Sequence, residues 1–199
     1  MKILVIRNDK LGDFVQALPA FAMLKASNPK LKLTALVPAY TAPLAQICPY
    51  LDSVIIDSVK NDKADFNRLV KEIKEQKFDG MISFFSNTHN GKLAWKSGIP
   101  YRLAPATKWV QILYNHRLTQ RRSRSEKSEA EYNQDLARAF LKKHNMPIVD
   151  PKPPYLSLSE SAVKNHQVFS EQDSEKGKAL CLSIADTLKL DSQHPSIVQ

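Results

Sequence analysis

The pattern of apolar and polar positions divides most of the chain into alternating strands and helices. Short apolar runs rich in β-branched residues predict buried strands at 2–7, 31–38, 53–57, 79–85 and 101–104. Apolar positions at helical spacing predict helices at 11–27, 41–51, 62–76 and 87–98, with Pro19 interrupting the first and Gly98 capping the last. This alternation predicts βαβ units and a Rossmann-like, doubly wound parallel sheet covered on both faces.

The polar loop NDKLGD follows the first strand. Ligands bind such sheets at the carboxyl ends of the strands, and the first strand is usually central, so this loop is expected to face a ligand. Its single glycine, Gly12, does not make a dinucleotide fingerprint or a P-loop, and Asp13 beside it would repel phosphate. Asp13 is therefore either an acid that complements the helix dipole or a group that accepts a proton, and the loop alone leaves both interpretations open.

A basic segment at 102–124 contains no Asp or Glu, and it includes the aromatic residues Trp109 and Tyr114. It is either a solvated surface or an anion-binding site, since arginine pairs well with phosphate and carboxylate oxygens. We expect Lys10 and Arg7 to extend this patch if the loops converge. The net charge of +9 also favours anionic partners. The cations of the segment are Arg102, Lys108, Arg117, Arg121, Arg122 and Arg124.

Several classes of protein are disfavoured by the remaining composition. The chain has no apolar run of membrane-spanning length and no signal-peptide pattern, so we expect a cytoplasmic protein. Cys48 and Cys181 lie far apart and the five histidines lack ligand spacing, so no disulfide framework and no metal site are expected. No sequence signature of a specific nucleic-acid binder is present.

The domain boundary is predicted near residue 150. A helix over about 126–144 is followed by a proline-rich linker at 148–154, and a strand-like run occurs at 179–185. We therefore predict a Rossmann-like domain at 1–150, with 151–199 forming a linker and the remnant of a second domain.

The opening motif of a strand followed by R-x-D-x-L-G-D-x-V-x-x-L-P-A resembles glycosyltransferase family 9, the lipopolysaccharide heptosyltransferases. The stretches SGIPYRLAP at 97–105 and YNHRLTQ at 114–120 are similar to further family segments, and an acidic helix follows around 129–136. Ser128 stands where many relatives have a histidine. The resemblance covers about residues 1–158.

The resemblance implies the N-terminal half of a GT-B fold, which receives the sugar acceptor. It implies metal-independent, inverting transfer from a nucleotide sugar, typically ADP-heptose, with no cofactor. Asp13 would be the catalytic base, and the partners would be an anionic lipopolysaccharide core and the inner-membrane surface, by peripheral contact. The acceptor-binding residues would be Lys10, Gly12, Arg102, Lys108, Arg117, Arg121, Arg122 and Arg124.

The residues beyond the linker do not resemble a complete donor domain, because no glycine follows Gly177 to form a phosphate-binding loop. We therefore expect a truncated or frame-shifted product with little or no activity alone. The alternative is a non-catalytic module that binds an anionic glycolipid or a partner protein. A nucleic-acid binder driven by charge is the third possibility.

Overall fold

The apolar runs form one parallel sheet. Its strands run in the order β3-β2-β1-β4-β5-β6, so β1 is central and the strand order reverses between β1 and β4. The doubly wound prediction is confirmed. The strands are β1 (Lys2–Ile6), β2 (Lys32–Pro38), β3 (Ser53–Asp57), β4 (Gly80–Ser83), β5 (Tyr101–Pro105) and β6 (His116–Leu118).

The computed structural model describes residues 1–58, 62–106, 109–122 and 126–156. Lys108, Arg124 and the run at 179–185 lie outside these ranges. Met1–Asp150 form one compact unit, and the description below concerns this unit. That 151–199 are the remnant of a donor domain stays a prediction.

The helices connect successive strands. Pro19 occupies an early position of α2, and the first predicted helix is indeed divided in two. Gly98 has a φ of 69°, a left-handed conformation that suits the residue just after a helix. The helices are α1 (Leu11–Val15), α2 (Leu18–Ser27), α3 (Ala42–Gln46), α4 (Lys63–Glu75), α5 (Thr88–Lys96) and α6 (Glu129–Lys143), with a 3-10 helix at Trp109–Leu113.

Helices cover both faces of the sheet. On one face Leu4 and Ile6 of β1 pack in a buried cluster with residues of α4 and α5, such as Leu69 and Leu93. On the other face α2 packs against α6, and Phe21 contacts Phe84 edge-on with ring centroids 5.6 Å apart. Because side chains alternate along a strand, Leu4 and Ile6 point to one face and Arg7 to the other, towards α6.

Strand β6 was not predicted. The sequence indicated only a charged segment here, yet His116–Leu118 pair in parallel with β5 at the sheet edge. The strand is three residues long and none of its residues is fully buried, so it lacks the apolar run that marks an inner strand.

Asp52 connects β2 and β3 at the amino ends of these two strands. Its carboxylate accepts hydrogen bonds from the Leu33 N–H at 2.8 Å and from Lys25 Nζ at 2.6 Å, and it pairs with Lys32 Nζ at 3.1 Å. Burial acts to raise the pKa of Asp52, but the hydrogen bonds outweigh it and lower the pKa to about 2. Since this pKa is depressed, the stabilisation is present above the ordinary value of 3.8 and is lost as the pH falls towards 2.

We therefore expect Asp52→Asn to lower the free energy of unfolding near neutral pH, because it removes the charge that binds the two lysines. The loss should be only about 1 kcal/mol, because solvent screens these ion pairs. The loss should shrink as the pH falls towards 2. Urea unfolding at several pH values measures it. Asp150→Asn, which removes a carboxylate that is 68% exposed, is the matched control. An equal loss in both variants would contradict the assignment.

Candidate functional site

Arg7 is the centre of a charged cluster at the carboxyl end of β1. Its side chain is 3% exposed, and its Nη1 donates to the Phe84 carbonyl at 3.0 Å. Its backbone N–H donates to the Leu36 carbonyl, so the residue is held by the strands on both sides of β1. The guanidinium therefore has a fixed position at the point where the strand order reverses.

Three carboxylates share this guanidinium. Arg7 Nε lies 3.1 Å from Asp9 Oδ1, and Nη2 lies 3.1 Å from Asp13 Oδ1 and 3.4 Å from Glu129 Oε1. A buried cation surrounded in this way orients each acid and prevents the acids from repelling one another. Arg7 was expected to extend the basic patch, and that expectation is wrong because its charge is already neutralised within the protein.

Helices α1 and α6 bring Asp13 and Glu129 to Arg7. Phe14 is fully buried beside Asp13 and ties α1 to the core. Asn133, one turn after Glu129, donates to the Gln16 carbonyl at 3.0 Å and so joins α6 to the end of α1. Both acids lie in the first turn of their helices.

Ser128 has a defined structural role at the start of α6. Its side chain accepts a hydrogen bond from the Glu131 N–H, and the Glu131 side chain accepts one from the Ser128 N–H. This capping box fixes the first turn of α6, and therefore the backbone that carries Glu129. Ser128 thus supports the cluster from the helix end.

Arg122 joins the same cluster from the segment after β6. It pairs with Glu129 Oε1 and donates to Gln120 Oε1 from Nε at 3.0 Å and from Nη2 at 2.8 Å. Its guanidinium also lies over the Tyr132 ring, 5.4 Å from the centroid. Of the predicted basic residues that the structure describes, Arg122 is the one that pairs with an acid of the Arg7 cluster.

The other predicted cations have different surroundings. Arg102 donates to the backbone carbonyls of Leu113 and Ile99, which secures the connection between β5 and β6. Lys10 is exposed just before α1, Gly12 is exposed within α1, and Arg117 is exposed on β6. Arg121 lines an open groove between β6 and α6, while Lys108 and Arg124 lie outside the described residues.

A second polar cluster lies at the same sheet edge, towards α5. Asn8 and Asn90 exchange amide hydrogen bonds of 2.8 Å, and Asn8 also donates to Asp57. His89 Nε2 lies 3.1 Å from Asp57 Oδ2, and this hydrogen bond raises the pKa of His89. Sequence reasoning missed this cluster, since it joins residues that are far apart in the chain.

Within the described ranges, no group of His, Cys, Asp and Glu side chains is arranged to hold a metal ion. None of the described helices has the length and apolar character required to cross a membrane. The acids at the sheet edge contact cations and amides of the protein itself, which is an arrangement suited to proton transfer and hydroxyl binding.

The chain is similar in sequence to a known protein, although it matches no family model. A "Putative glycosyltransferase" of Haemophilus influenzae is 82% identical over 172 residues, which make up 86% of this chain and 50% of the relative. The chain thus spans about half the length of the curated relative it matches.

Solved structures share the fold. A glycosyl transferase family 9 protein from Veillonella parvula superposes with a TM-score of 0.68 at 16% identity, covering 94% of this chain and 49% of that one. Escherichia coli heptosyltransferase WaaC with ADP-2-deoxy-2-fluoro heptose gives a TM-score of 0.66 at 14% identity, covering 94% and 66%. The resemblance predicted from the sequence is thereby confirmed: the chain is a relative of a glycosyltransferase, and it has the fold of the N-terminal half of the glycosyltransferase family 9 heptosyltransferases.

Proposed function

We propose that this chain is the acceptor-binding half of a sugar transferase that adds a heptose from ADP-heptose to the inner core of lipopolysaccharide. The observation that carries the proposal is the Asp13 carboxylate. Its side chain is 36% exposed at the carboxyl edge of the sheet, while the buried Arg7 guanidinium holds it at 3.1 Å. An oriented carboxylate that a substrate can reach is what a general base requires.

The proposed step is a direct displacement with inversion. The acceptor hydroxyl oxygen forms a bond to the anomeric carbon of the donor, and the bond from that carbon to the diphosphate oxygen breaks. The diphosphate leaves with the bonding electrons, and Asp13 takes the hydroxyl proton. Neither a metal nor a cofactor takes part in this scheme.

The donor assignment rests on the relatives. One heptosyltransferase of the same fold was solved with ADP-2-deoxy-2-fluoro heptose, a nucleotide sugar. Since this chain spans about half of its curated relative, we propose that the donor binds to the other half.

The acceptor assignment rests on charge and position. Lys10 is exposed three residues before Asp13, at the mouth of the proposed site. Inner-core sugars carry carboxylates and phosphates, and lysine is an effective partner for both. Arg117 and Arg121 extend the basic surface beyond β6 in this proposal.

We further propose a cytoplasmic protein that contacts the inner-membrane surface peripherally. Trp109 and Ile112 of the 3-10 helix are 88% and 71% exposed. Tryptophan and apolar side chains of this kind favour the boundary between lipid and water, and the basic surface favours anionic lipid headgroups.

Binding of the acceptor tests the proposal directly. We expect the chain to bind a deacylated inner-core oligosaccharide that carries octulosonate and phosphate, and we expect Lys10→Met to weaken binding about tenfold. Isothermal titration calorimetry measures the affinity. Lys30→Met removes an exposed lysine before β2, at the amino ends of the strands and away from Asp13. This variant should leave the affinity unchanged.

Failure of the wild-type chain to bind this oligosaccharide would refute the acceptor assignment. An equal loss in both variants would mean that net charge, rather than the site beside Asp13, governs binding. Binding without transfer when the other half of the protein is supplied would support a non-catalytic binding module instead.

A further inference from the structure

Two carboxyl groups lie on one edge of the Arg7 guanidinium. Asp9 Oδ1 is 3.1 Å from Nε and Asp13 Oδ1 is 3.1 Å from Nη2. These neighbouring nitrogens belong to one planar group, so the two carboxyl groups lie side by side on the same cation. Paired carboxyl groups at this separation titrate as a unit rather than independently.

The two acids differ in their access to solvent. The side chain of Asp9 is 13% exposed, whereas that of Asp13 is 36% exposed. Although Nε of Arg7 is near, it is poorly aligned, and Asp9 Oδ1 is buried without a hydrogen-bond donor among the described residues. Asp9 is thus placed to act on Asp13 rather than on a substrate.

The charges around Asp9 come from several elements. Arg7 at the end of β1 favours its ionised form, and Asp13 on α1 opposes it. Glu129 on α6 contacts the same guanidinium, and Arg122 balances Glu129 from beyond β6. The Tyr40 hydroxyl, from the segment after β2, donates to the backbone carbonyl of Asp9 rather than to its carboxyl group.

We propose that Asp9 is a positioning residue for proton transfer, which places a second negative charge beside Asp13 and makes the pair a stronger proton acceptor than a single carboxylate on Arg7. The proposal rests on the proposed function, in which Asp13 is the base, and it adds a residue that the function itself does not require.

The physical reason is the repulsion within the pair. Burial, opposed by Arg7 and assisted by Asp13, raises the pKa of Asp9 to about 6. Above that pH Asp9 carries a negative charge beside the Asp13 carboxylate, and uptake of one proton relieves the repulsion between them. The proton released from the acceptor hydroxyl is then shared by the two carboxyl groups and leaves to water after the product departs. A single carboxylate beside Arg7 would gain no such relief.

Carboxyl NMR titration of the 199-residue chain tests the pair without donor, acceptor or turnover. We expect the Asp9 side-chain carbon to titrate near pH 6. In Asp13→Asn the Asp9 midpoint should fall by about one pH unit or more, because the neighbouring charge is gone. Asp13→Glu keeps the charge and should keep an elevated midpoint.

Asp52→Asn is the matched control, since it removes one carboxylate at the amino ends of the strands, whereas Asp9 lies at the carboxyl ends. It should leave the Asp9 midpoint unchanged. An Asp9 midpoint near the ordinary value of 3.8 in the wild-type chain would overturn the proposal, even if a variant failed to fold. So would an Asp9 midpoint that is insensitive to Asp13→Asn. Neither result would affect acceptor binding, so failure of the pair is distinguishable from failure of the proposed function.

Discussion

Replacing Arg7 with methionine should lower the free energy of unfolding by about 3–5 kcal/mol near pH 8, the cost of breaking a buried ion pair from one side. The methionine fills a similar volume but leaves Asp9, Asp13 and Glu129 facing one another without the shared cation. It also removes the donor to the Phe84 carbonyl. Urea unfolding followed by circular dichroism measures the loss.

The loss should depend on pH with a definite sign. Arg7 acts to lower the pKa of Asp9, so its removal raises that pKa beyond about 6. A folded-state pKa above the unfolded value adds stability at low pH and loses it as the pH rises. The Arg7→Met variant should therefore recover part of its stability as the pH falls through this raised pKa towards the ordinary value of 3.8 and Asp9 becomes neutral.

Arg68→Met is the matched control. Arg68 also pairs with two carboxylates, Asp65 and Glu72, but its side chain is 50% exposed on α4. Its removal should cost less than about 1 kcal/mol, the range of exposed ion pairs. If the two variants lost similar amounts, Arg7 would not be the centre of a buried charge cluster.

The fold was largely readable from the chain because its signals are local. The β-branched run of β1 and the helical spacing of α4 each lie within a dozen residues, and both elements occur where they were predicted. Strand β6 escaped because an exposed edge strand of three residues carries no apolar run. Its pairing with β5 depends on the chain returning to the sheet, which no local pattern specifies.

The site was readable only in part. Asp13 and the loop before it follow from the position after a central strand, and the opening motif supplied the hypothesis for their role. Glu129 meets Arg7 across 122 positions of sequence, so its contribution emerges only when α6 packs against α2 and joins the end of α1. The available signal was the S-x-x-E capping box of Ser128 and Glu131, which marks the start of a helix and so places Glu129 in its first turn.

The position of Arg7 shows why charge counts mislead. By sequence it adds to a basic surface of net charge +9, yet strand alternation turns it inward towards α6. Arg7 was expected to bind an anionic substrate, but its charge is already paired with three acids of the protein. It therefore orients Asp13, the proposed base. The exposed Lys10 is thus the better candidate for acceptor binding.

Asp13→Asn should reduce sugar transfer by about 10²- to 10⁴-fold, the usual contribution of a general base. Asparagine keeps the size of the side chain and can still accept a hydrogen bond from Arg7, so the fold and acceptor binding should persist. Only the ability to take the hydroxyl proton is lost, and the loss should therefore appear in kcat rather than in the affinity for the acceptor.

The assay measures transfer from ADP-heptose to the deacylated inner-core acceptor. It is run with the chain itself and with residues 1–150 joined to the second half of the Haemophilus relative, since the chain covers 50% of that protein. Lys30→Met, at the amino ends of the strands and away from Asp13, should transfer at the wild-type rate. Undiminished transfer by Asp13→Asn would assign the proton to another group. If the chain itself and the joined protein both bound the acceptor but neither transferred sugar, a binding module would be favoured. A loss of transfer in Asp13→Asn but not in Lys30→Met would identify the Asp13 carboxylate as the group that takes the proton.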